Sequence, residues 1–394
     1  MALLSGPWMH PDDPTIREFL AAALRKGGEP WPAAWDDPAA RDAVGRAAIY
    51  HGIAGLLVDR CVVERTWPSP PAETLGREAR AQAMWELRHR QLLADLLAEF
   101  QKRAIPSLLM KGTAVAYDLY ETPATRSRGD TDLLVAAPDR PRAEALLGAL
   151  GYAPGVLGGV NAAFALQQPW TLVLPDGGRH SIDLHWQVMN APSLNGLLPF
   201  AECSAEARPL PRLSPEARAM GRVHLLLHTC LHRAMHCNTP YIVDGEAFHD
   251  SGRLIWSFDM HLLAEALDDG QWSQLCALAS ANGVARVCLE GLRAAQADIG
   301  TAVPAEVIRQ LEQAAPGDRR SAYFVKSRSV ARAWQDLRSV AGLRSKLRYG
   351  AARILPDPRF VRAKYPGMAG ASLPMLYARR MLGVLLSRGK ARQR

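Results

Sequence analysis

The polar and apolar positions of the first hundred residues follow the period of amphipathic helices. Apolar residues recur every three or four positions in 16–24 and again in 85–97. Proline-rich pieces at 30–38 and 68–71 separate these stretches. We therefore expect an N-terminal helical region over residues 1–101.

The pattern changes after this region. Short apolar runs at 105–110 and 130–135 predict strands, and the longer periodic stretches 113–120 and 140–150 predict helices. Gly151 follows the second of these helices, where glycine commonly ends a helix.

A hairpin comes next in the predicted order. Residues 170–174 and 180–186 flank Pro175-Asp-Gly-Gly, whose composition is a strong turn signal. Strand, helix, strand, helix and hairpin in this order predict a small mixed β-sheet backed by helices. The expected fold class is α+β, with the core at residues 102–200.

The chain beyond Pro209 again has helical patterning. Ser214-Pro215-Glu216 supplies a capping hydroxyl, a first-turn proline and an early acid, which together predict a helix start. We expect a helical domain over residues 201–315 and a basic helical region over 316–394.

Four histidines recur at every fourth position in the first of these regions, and they would form a ladder on one helix face. They are His224, His228, His232 and His236. Such a ladder suits a zinc site, the lining of a substrate pocket, or packed structural histidines. A zinc site needs further ligands, for which Asp259 or His261 are the candidates.

The composition is that of a folded protein with one strongly basic segment. Hydrophobic residues make up 48% and charged residues 22%, which excludes wholesale disorder. The net charge is +8, and the segment 318–364 holds thirteen Lys or Arg against three Asp. This segment fits a solvated helix face, a nucleic-acid contact or a membrane-surface anchor. An anionic partner is therefore one hypothesis for the basic region.

The cellular setting is expected to be cytoplasmic. Residues 1–8 lack the basic and apolar regions of a secretion signal, and no apolar run approaches the roughly 20 residues that span a bilayer. The six cysteines include no Cys-x-x-Cys pair, as expected for reduced thiols.

Asp130 and Asp132 are the first candidates for chemistry. They lie two apart in a predicted strand, so both carboxylates project from one face. A hard cation such as Mg²⁺ or Mn²⁺ would relieve their repulsion, and Asp183 in the hairpin could add a third ligand. Three strand carboxylates would suit a two-ion site for phosphoryl displacement, with Asp183 as a possible base. Asp-x-Asp alone also occurs in sugar-nucleotide glycosyltransferases and in surface turns.

Met110-Lys111-Gly112-Thr113 lies where a strand meets a helix, about twenty residues before the acids. Glycine permits close approach of a ligand to the backbone, and a helix N-terminus beside a lysine attracts phosphate. The segment is therefore a candidate for holding a triphosphate. A plain strand-to-helix turn with a solvated lysine is the alternative.

The order of these motifs resembles an uncharacterised bacterial nucleotidyltransferase family. The resemblance covers residues 105–186 and rests on Lys111-Gly112, Arg126, Asp130-x-Asp132 and Asp183-x-His185. It implies a polymerase-beta-like nucleotidyltransferase core that uses a nucleoside triphosphate. Lys111-Gly112 stands where better-known relatives carry Gly-Ser, which leaves the contacts to the leaving group open.

Further residues complete the expected site. Arg126, at the family's arginine position, and Arg128 could neutralise phosphate charge. His185 shares a strand face with Asp183, so it is expected to orient that carboxylate, to contact nucleotide, or to be a core histidine.

The helical domain would supply a pocket for the acceptor. The candidate residues for this acceptor pocket are His228, His232 and Asp259. Three function classes follow from these residues. The first is a nucleotidyltransferase whose acceptor is a small molecule, a peptide or a protein. The second is a non-catalytic nucleotide- or polyanion-binding accessory protein, and the third is a phosphotransferase that moves the gamma phosphoryl group.

Overall fold

The structure is a computed structural model. It describes residues 13–26, 29–59, 67–156, 164–238, 241–243, 246–248, 252–325, 329–368 and 370–390. Residues 1–8, considered above for a secretion signal, and the last four residues of the basic region lie outside the described residues.

The N-terminal region is helical, as predicted. Asp37 caps the second helix by accepting hydrogen bonds from the amides of Ala39 and Ala40, and Pro38 occupies its first turn. The two proline-rich pieces lie between helices, as expected, and their last prolines belong to the first turn of the helix that follows. The helices are α1 (Pro14–Lys26), α2 (Pro38–Tyr50), α3 (Ala54–Asp59) and α4 (Ser69–Lys102).

The predicted strand, helix, strand, helix and hairpin order is confirmed. Gly151 at the end of the second helix has a φ of 87°, in the left-handed region that favours glycine. The elements are β1 (Ser107–Leu109), α5 (Lys111–Asp118), β2 (Thr131–Val135), α6 (Arg140–Ala149), β3 (Ala153–Pro154), β4 (Gln167–Val173) and β5 (Arg179–His185).

Together with β6 (Arg208–Pro209) and β7 (Arg218–Ala219), these strands form a mixed seven-stranded sheet in the order β3-β4-β5-β2-β1-β7-β6. β1 runs antiparallel to β2, and β2 runs parallel to β5. In that parallel pair Asp132 is the partner of Asp183. The fold is α+β, with this sheet flanked by helical regions.

The prediction that a helix starts at Ser214 is wrong. The chain there forms β6 (Arg208–Pro209) and β7 (Arg218–Ala219), an antiparallel pair. The amide of Leu210 donates to the carbonyl of Ala217 at 2.8 Å, and Ala219 pairs with Leu109 of β1. The local capping signal is overridden because the segment extends the sheet past residue 200.

Helices then cover the sheet. Gly291 allows one close packing contact, since a Cβ there would lie 2.6 Å from the Sγ of Cys230 on a neighbouring helix. The elements are α7 (Phe200–Ala205), α8 (Arg222–Cys237), a small hairpin of β8 (Tyr241–Val243) and β9 (Glu246–Phe248), α9 (Leu254–Glu265), α10 (Asp269–Ala281), α11 (Ala285–Ile299) and α12 (Ala305–Ala314).

The C-terminal region is also helical, and a buried carboxylate joins it to the core. Asp336 accepts hydrogen bonds from the amide and hydroxyl of Ser193 and from the hydroxyls of Tyr323 and Tyr349. No described helix combines the length and the apolar character needed to cross a bilayer. The helices are α13 (Ser321–Val325), α14 (Ser329–Ser339), α15 (Leu343–Ile354), α16 (Pro358–Lys364) and α17 (Leu373–Lys390).

Candidate active site

A cavity of about 590 Å³ lies between one face of the sheet and the helices that follow it. Most of the site residues predicted from the sequence line this cavity, although they are far apart in the chain. The lining includes Lys111, Gly112, Arg126, Arg128, Asp130, Asp132, Asp183, His185, His228, His232 and Asp259. Thr113 is not part of the lining.

The pairing of β2 with β5 brings two of the acids together. Asp132 and Asp183 are direct partners on adjacent parallel strands, so their side chains share a face. With His185 they form, among the described residues, a group whose potential ligand atoms all lie within 4.8 Å of one another. Asp130, one residue before β2, lines the same cavity but is not a member of this group.

Lys111 and His185 both bind Asp132. The Nζ of Lys111 donates to Oδ1 of Asp132 at 2.5 Å, and Nε2 of His185 lies 2.9 Å from the same oxygen. A carboxylate accepts hydrogen bonds, so the imidazole donates its Nε2–H. The expectation that His185 orients Asp183 is therefore wrong for this arrangement, because the ring contacts Asp132.

The pKa values of Asp130, Asp132 and Asp183 are shifted in different directions by their surroundings. Burial alone would raise the pKa of Asp132, but the charge of Lys111 and the hydrogen bond from His185 hold it well below its usual range. Burial, together with repulsion from Asp132 and Asp183, raises the pKa of Asp130 to about 6. Burial and repulsion from Asp132 likewise raise the pKa of Asp183 to about 6. The cavity therefore holds more negative charge than its lysine neutralises.

The start of α5 explains why the motif is Lys-Gly. Lys111 has a φ of 49°, so the lysine rather than the glycine adopts the left-handed backbone conformation. Gly112 is required by a different contact, since a Cβ there would lie 2.8 Å from Cζ of Arg126. The guanidinium thus packs directly against the first turn of the helix.

Arg126 is fixed in this position by Asp259. Its Nη2 donates to the Asp259 carboxylate at 2.6 Å and its Nε at 3.3 Å, while Nη1 donates to the carbonyl of Ser127 at 2.7 Å. The hydroxyl of Tyr120 donates to the same carboxylate at 2.7 Å. Asp259, predicted for the acceptor pocket, is therefore buried and engaged in holding Arg126.

The side chains of Arg128, which lines the cavity, and of Thr113, which does not, are occupied by other protein groups. The guanidinium of Arg128 pairs with Glu86 of α4 and donates to two backbone carbonyls, and its side chain is 2% exposed. The hydroxyl of Thr113 lies 3.2 Å from that of Thr131, which in turn lies 3.1 Å from Nε2 of His89. Thr131 points to the face opposite the acids, as the strand alternation predicts.

The histidine ladder lies on α8, as predicted. His228 donates its Nε2–H to the carbonyl of Val188 at 3.2 Å, and burial lowers its pKa to about 3. The rings of His232 and His236 have centroids 4.4 Å apart, and each lies 5.1 Å from the ring of Trp256. In the described part of the chain these histidines belong to no group with metal-ligand spacing.

Several contacts at the candidate site and behind the sheet were not predicted. The ion pairs of Lys111 with Asp132 and of Arg126 with Asp259 join residues that the sequence shows only as separate motifs. A chain of hydrogen bonds behind the sheet links Tyr152, His180 and His89, with distances of 2.6 and 3.0 Å. Strand alternation puts His180 on the face opposite Asp183, but nothing in the sequence gives its partner on α4.

Comparison with known protein families adds an independent finding. A family profile described as an uncharacterised nucleotidyltransferase matches residues 37–300. The chain belongs to this family of uncharacterised nucleotidyltransferases. The matched span contains all the cavity-lining residues predicted from the sequence. No curated protein matches the chain.

Proposed function

We propose that the protein is a metal-dependent nucleotidyltransferase that moves a nucleoside monophosphate from a nucleoside triphosphate to an acceptor. Asp130, Asp132 and Asp183 are its catalytic carboxylates. The observation that carries the proposal is the pairing of Asp132 with Asp183 on adjacent parallel strands, beside the start of α5 and inside one cavity. Membership of the family supports the same class of reaction.

The charges around the cavity fit a divalent cation. Asp130, Asp132 and Asp183 share the charge of one ammonium group, that of Lys111. Of the arginines that line the cavity, Arg126 pairs with Asp259 and Arg128 with Glu86, while Arg253 donates to the carbonyl of Tyr50. Oxygen ligands of this kind suit Mg²⁺ or Mn²⁺, and the residues that would hold the ion are Asp130, Asp132 and Asp183. Such an ion neutralises phosphate oxygens and aligns the attacking and leaving groups. The role that we assign to His185 is to position Asp132, because its Nε2–H donates a hydrogen bond to that carboxylate.

The triphosphate would bind at the start of α5. Lys111, Gly112 and the guanidinium of Arg126 line the cavity there, and the helix N-terminus adds its partial positive charge. Lys111 would exchange its contact with Asp132 for the phosphates when the cation arrives. We assign supporting roles to Arg128 and Thr113, because the Arg128 guanidinium is paired with Glu86 and the Thr113 hydroxyl contacts Thr131 and the carbonyl of Asp130.

The reaction balances without a redox partner. A nucleophilic oxygen or nitrogen of the acceptor forms a bond to the alpha phosphorus, and the bond from that phosphorus to the bridging oxygen of the beta phosphate breaks. Pyrophosphate leaves, and the acceptor's proton passes to a carboxylate, which we assign to Asp183.

The acceptor would enter from the side of α8. His232 lines this part of the cavity with His236 and Trp256, and their rings form an aromatic wall. His228 contributes to the wall but its Nε2–H is given to a backbone carbonyl. The acceptor classes remain a small molecule, a peptide or a protein.

The first test is metal-dependent triphosphate binding. Calorimetric titration with each of the four ribonucleoside triphosphates, in the presence of Mg²⁺ or Mn²⁺ and of EDTA, should give binding that needs the metal. Asp132→Asn and Asp183→Asn should lose it. Asp176→Asn is the matched control, because Asp176 lies in the exposed turn between β4 and β5. Binding that persists equally in both site variants would contradict the assignment.

The second test identifies the transferred group. The protein is incubated with triphosphate labelled at the alpha or the gamma phosphorus and with fractionated cell extract as the acceptor source. Label from the alpha position should appear in a product that Asp132→Asn fails to make. Transfer of the gamma label would instead make the protein a phosphotransferase, and binding without any transfer would make it an accessory protein.

A further inference from the structure

Helix α15 has two apolar faces, and one of them is exposed. Tyr349 and Ala352 are buried against the protein, whereas Leu343 is 74% exposed, Leu347 67% and Ile354 53%. A helix turns by about 100° per residue, which places these three aliphatic side chains within an arc of about 40°. We call them the α15 stripe. Large contiguous apolar surfaces on folded proteins mark interaction sites, and the α15 stripe is a candidate for one because its three side chains lie together.

Basic residues border the α15 stripe on both edges. The same helical geometry puts Lys346 and Arg353 along one edge and Arg344 along the other. Lys and Arg can lay their aliphatic stems along apolar surface while their charged groups point to water or phosphate. An apolar stripe with such borders is typical of helices that lie in the headgroup region of a bilayer.

A cluster of cations stands at the end of the same helix. Arg380 of α17 donates to the carbonyls of Arg353 and Ile354 at 3.1 and 3.2 Å, which brings its guanidinium to the C-terminal end of α15. Burial and the charge of Arg353 lower the pKa of Arg380. Burial and the charge of Arg380 also lower the pKa of Lys364. In the described part of the chain the contacts seen for Arg380 and Lys364 are with carbonyl groups and the Tyr365 ring and not with carboxylates, so an external anion would relieve the repulsion among the three cations.

The segment of the chain that contains α15 carries a net positive charge. Residues 329–390 hold thirteen of the chain's 47 basic residues but two of its 39 acidic residues. One of these acids, Asp336, is buried beneath the helices, and the other, Asp357, caps α16. A second copy of this face would be repelled, whereas a negatively charged surface would be attracted over several ångströms.

The α15 stripe is also held facing outward. The hydroxyl of Tyr349, on the buried side of α15, donates to Asp336, which accepts from Ser193 of the core. Rotation of α15 to bury the stripe would break these contacts. The helix is therefore fixed with its second apolar face towards solvent.

We infer that the α15 stripe and its basic borders are a docking surface for an anionic lipid bilayer. The three aliphatic side chains would enter the headgroup region, and Arg353, Lys364 and Arg380 would contact lipid phosphates. Duplex nucleic acid would use the cations but leave the aliphatic stripe without a partner, since its backbone offers phosphates and no apolar layer. The inference is independent of the reaction proposed for the cavity.

Vesicle flotation of the full-length protein tests the inference. The probes are phosphatidylcholine vesicles with and without phosphatidylglycerol. The protein should float with the anionic vesicles and stay behind with the neutral ones, and high salt should weaken the association. Leu343→Ser combined with Leu347→Ser should weaken binding roughly tenfold, because the buried apolar area is lost.

Two further variants make the result specific. Met84→Ser combined with Leu87→Ser is the matched control, because Met84 is 68% and Leu87 69% exposed on α4, which is not part of the basic C-terminal region. It should bind vesicles like the wild type. Lys364→Gln should weaken vesicle binding without lowering the melting temperature, since it removes a repelled cation.

Outcomes that overturn the inference are equally clear. If the two leucine substitutions leave vesicle binding unchanged, charge alone causes the binding and the apolar stripe has no part in it, which contradicts the inference. Failure to bind anionic vesicles, combined with duplex DNA binding that those substitutions leave intact, would assign the surface to nucleic acid. Thermal melting of every variant confirms that the fold is retained.

Discussion

The missing side chain at Gly112 lets the guanidinium of Arg126 lie against the first turn of α5. That guanidinium cannot move aside freely, because Asp259 and the carbonyl of Ser127 hold it. The sequence suggests that the glycine leaves room for a ligand. In the folded chain the guanidinium of Arg126 occupies that space, at the position where we propose that the triphosphate binds.

Gly112→Ala should displace Arg126 and weaken triphosphate binding about tenfold, the effect of losing one charge-assisted hydrogen bond. Calorimetric titration with a metal triphosphate measures the change. Gly129→Ala is the matched control, because Gly129 lines the same cavity and a Cβ there meets nothing within 4 Å. Equal affinities of the two variants would show that the contact between Gly112 and Arg126 is unimportant.

In the absence of a metal ion, the ammonium group of Lys111 is expected to supply part of the positive charge that a bound divalent cation would supply to Asp132. Lys111→Met should lower the free energy of unfolding in EDTA by about 3 kcal/mol, because Asp132 is left buried without its ion pair. Added Mg²⁺ should then raise the melting temperature more than in the wild type. Lys102→Met is the control, since Lys102 is largely exposed. A smaller or equal effect of Mg²⁺ on the Lys111 variant would refute the idea.

At the scale of elements, α4 is joined to the back of the sheet by neutral histidines. His180 of β5 and His89 of α4 are 3.0 Å apart, and burial lowers their pKa values to about 4 and about 2. A histidine whose pKa is lowered by folding stabilises the fold fully above its unfolded pKa of about 6.5. That stability is lost as the pH falls from there towards the folded value.

His180→Asn should make the fold less sensitive to acid. Between pH 7 and pH 5 the wild type should lose about 2 kcal/mol more unfolding free energy than the variant, because the variant has one fewer buried histidine to protonate. Urea denaturation at several pH values measures this difference. Identical pH profiles would mean that His180 is not kept neutral by the fold.

The elements that carry the site could be predicted because each has a strong local signal. The turn at Pro175-Asp-Gly-Gly fixes the β4–β5 hairpin, and alternation fixes the faces of Asp132 and Asp183. The region around Ser214 could not be predicted, because its short strands are stabilised by β1 rather than by their own sequence. Ion-pair partners such as Asp259 for Arg126 depend on how helices pack, which local patterns do not encode.

At the scale of the whole molecule, one carboxylate connects the basic helices with the core. Asp336 is buried and receives hydrogen bonds from Ser193, Tyr323 and Tyr349. Those donors belong to different parts of the chain, so the carboxylate acts as a common anchor. Its loss would leave several buried donors without an acceptor.

Asp336→Ala should destabilise the C-terminal helices by about 3 kcal/mol while leaving the sheet intact. Hydrogen exchange should become faster in residues 329–364, with β2 and β5 unchanged. Asp357→Ala is the control, because it removes only the cap of α16 at a cost of about 1 kcal/mol. Uniformly faster exchange throughout the chain would show that the C-terminal helices do not open separately.

The pairing of Asp132 with Asp183 also restricts how the chain can change in length. An insertion or deletion of one residue inside β2 or β5 would turn an acid to the opposite face, against the histidines of the α4 side. The parts of the connection between β2 and β5 that lie outside β3, β4 and the tight turn of the β4–β5 hairpin are free of that restriction. Among sequences of this family, the segments that connect β2 to β5 should therefore vary in length, whereas β2 and β5 themselves should keep a constant length.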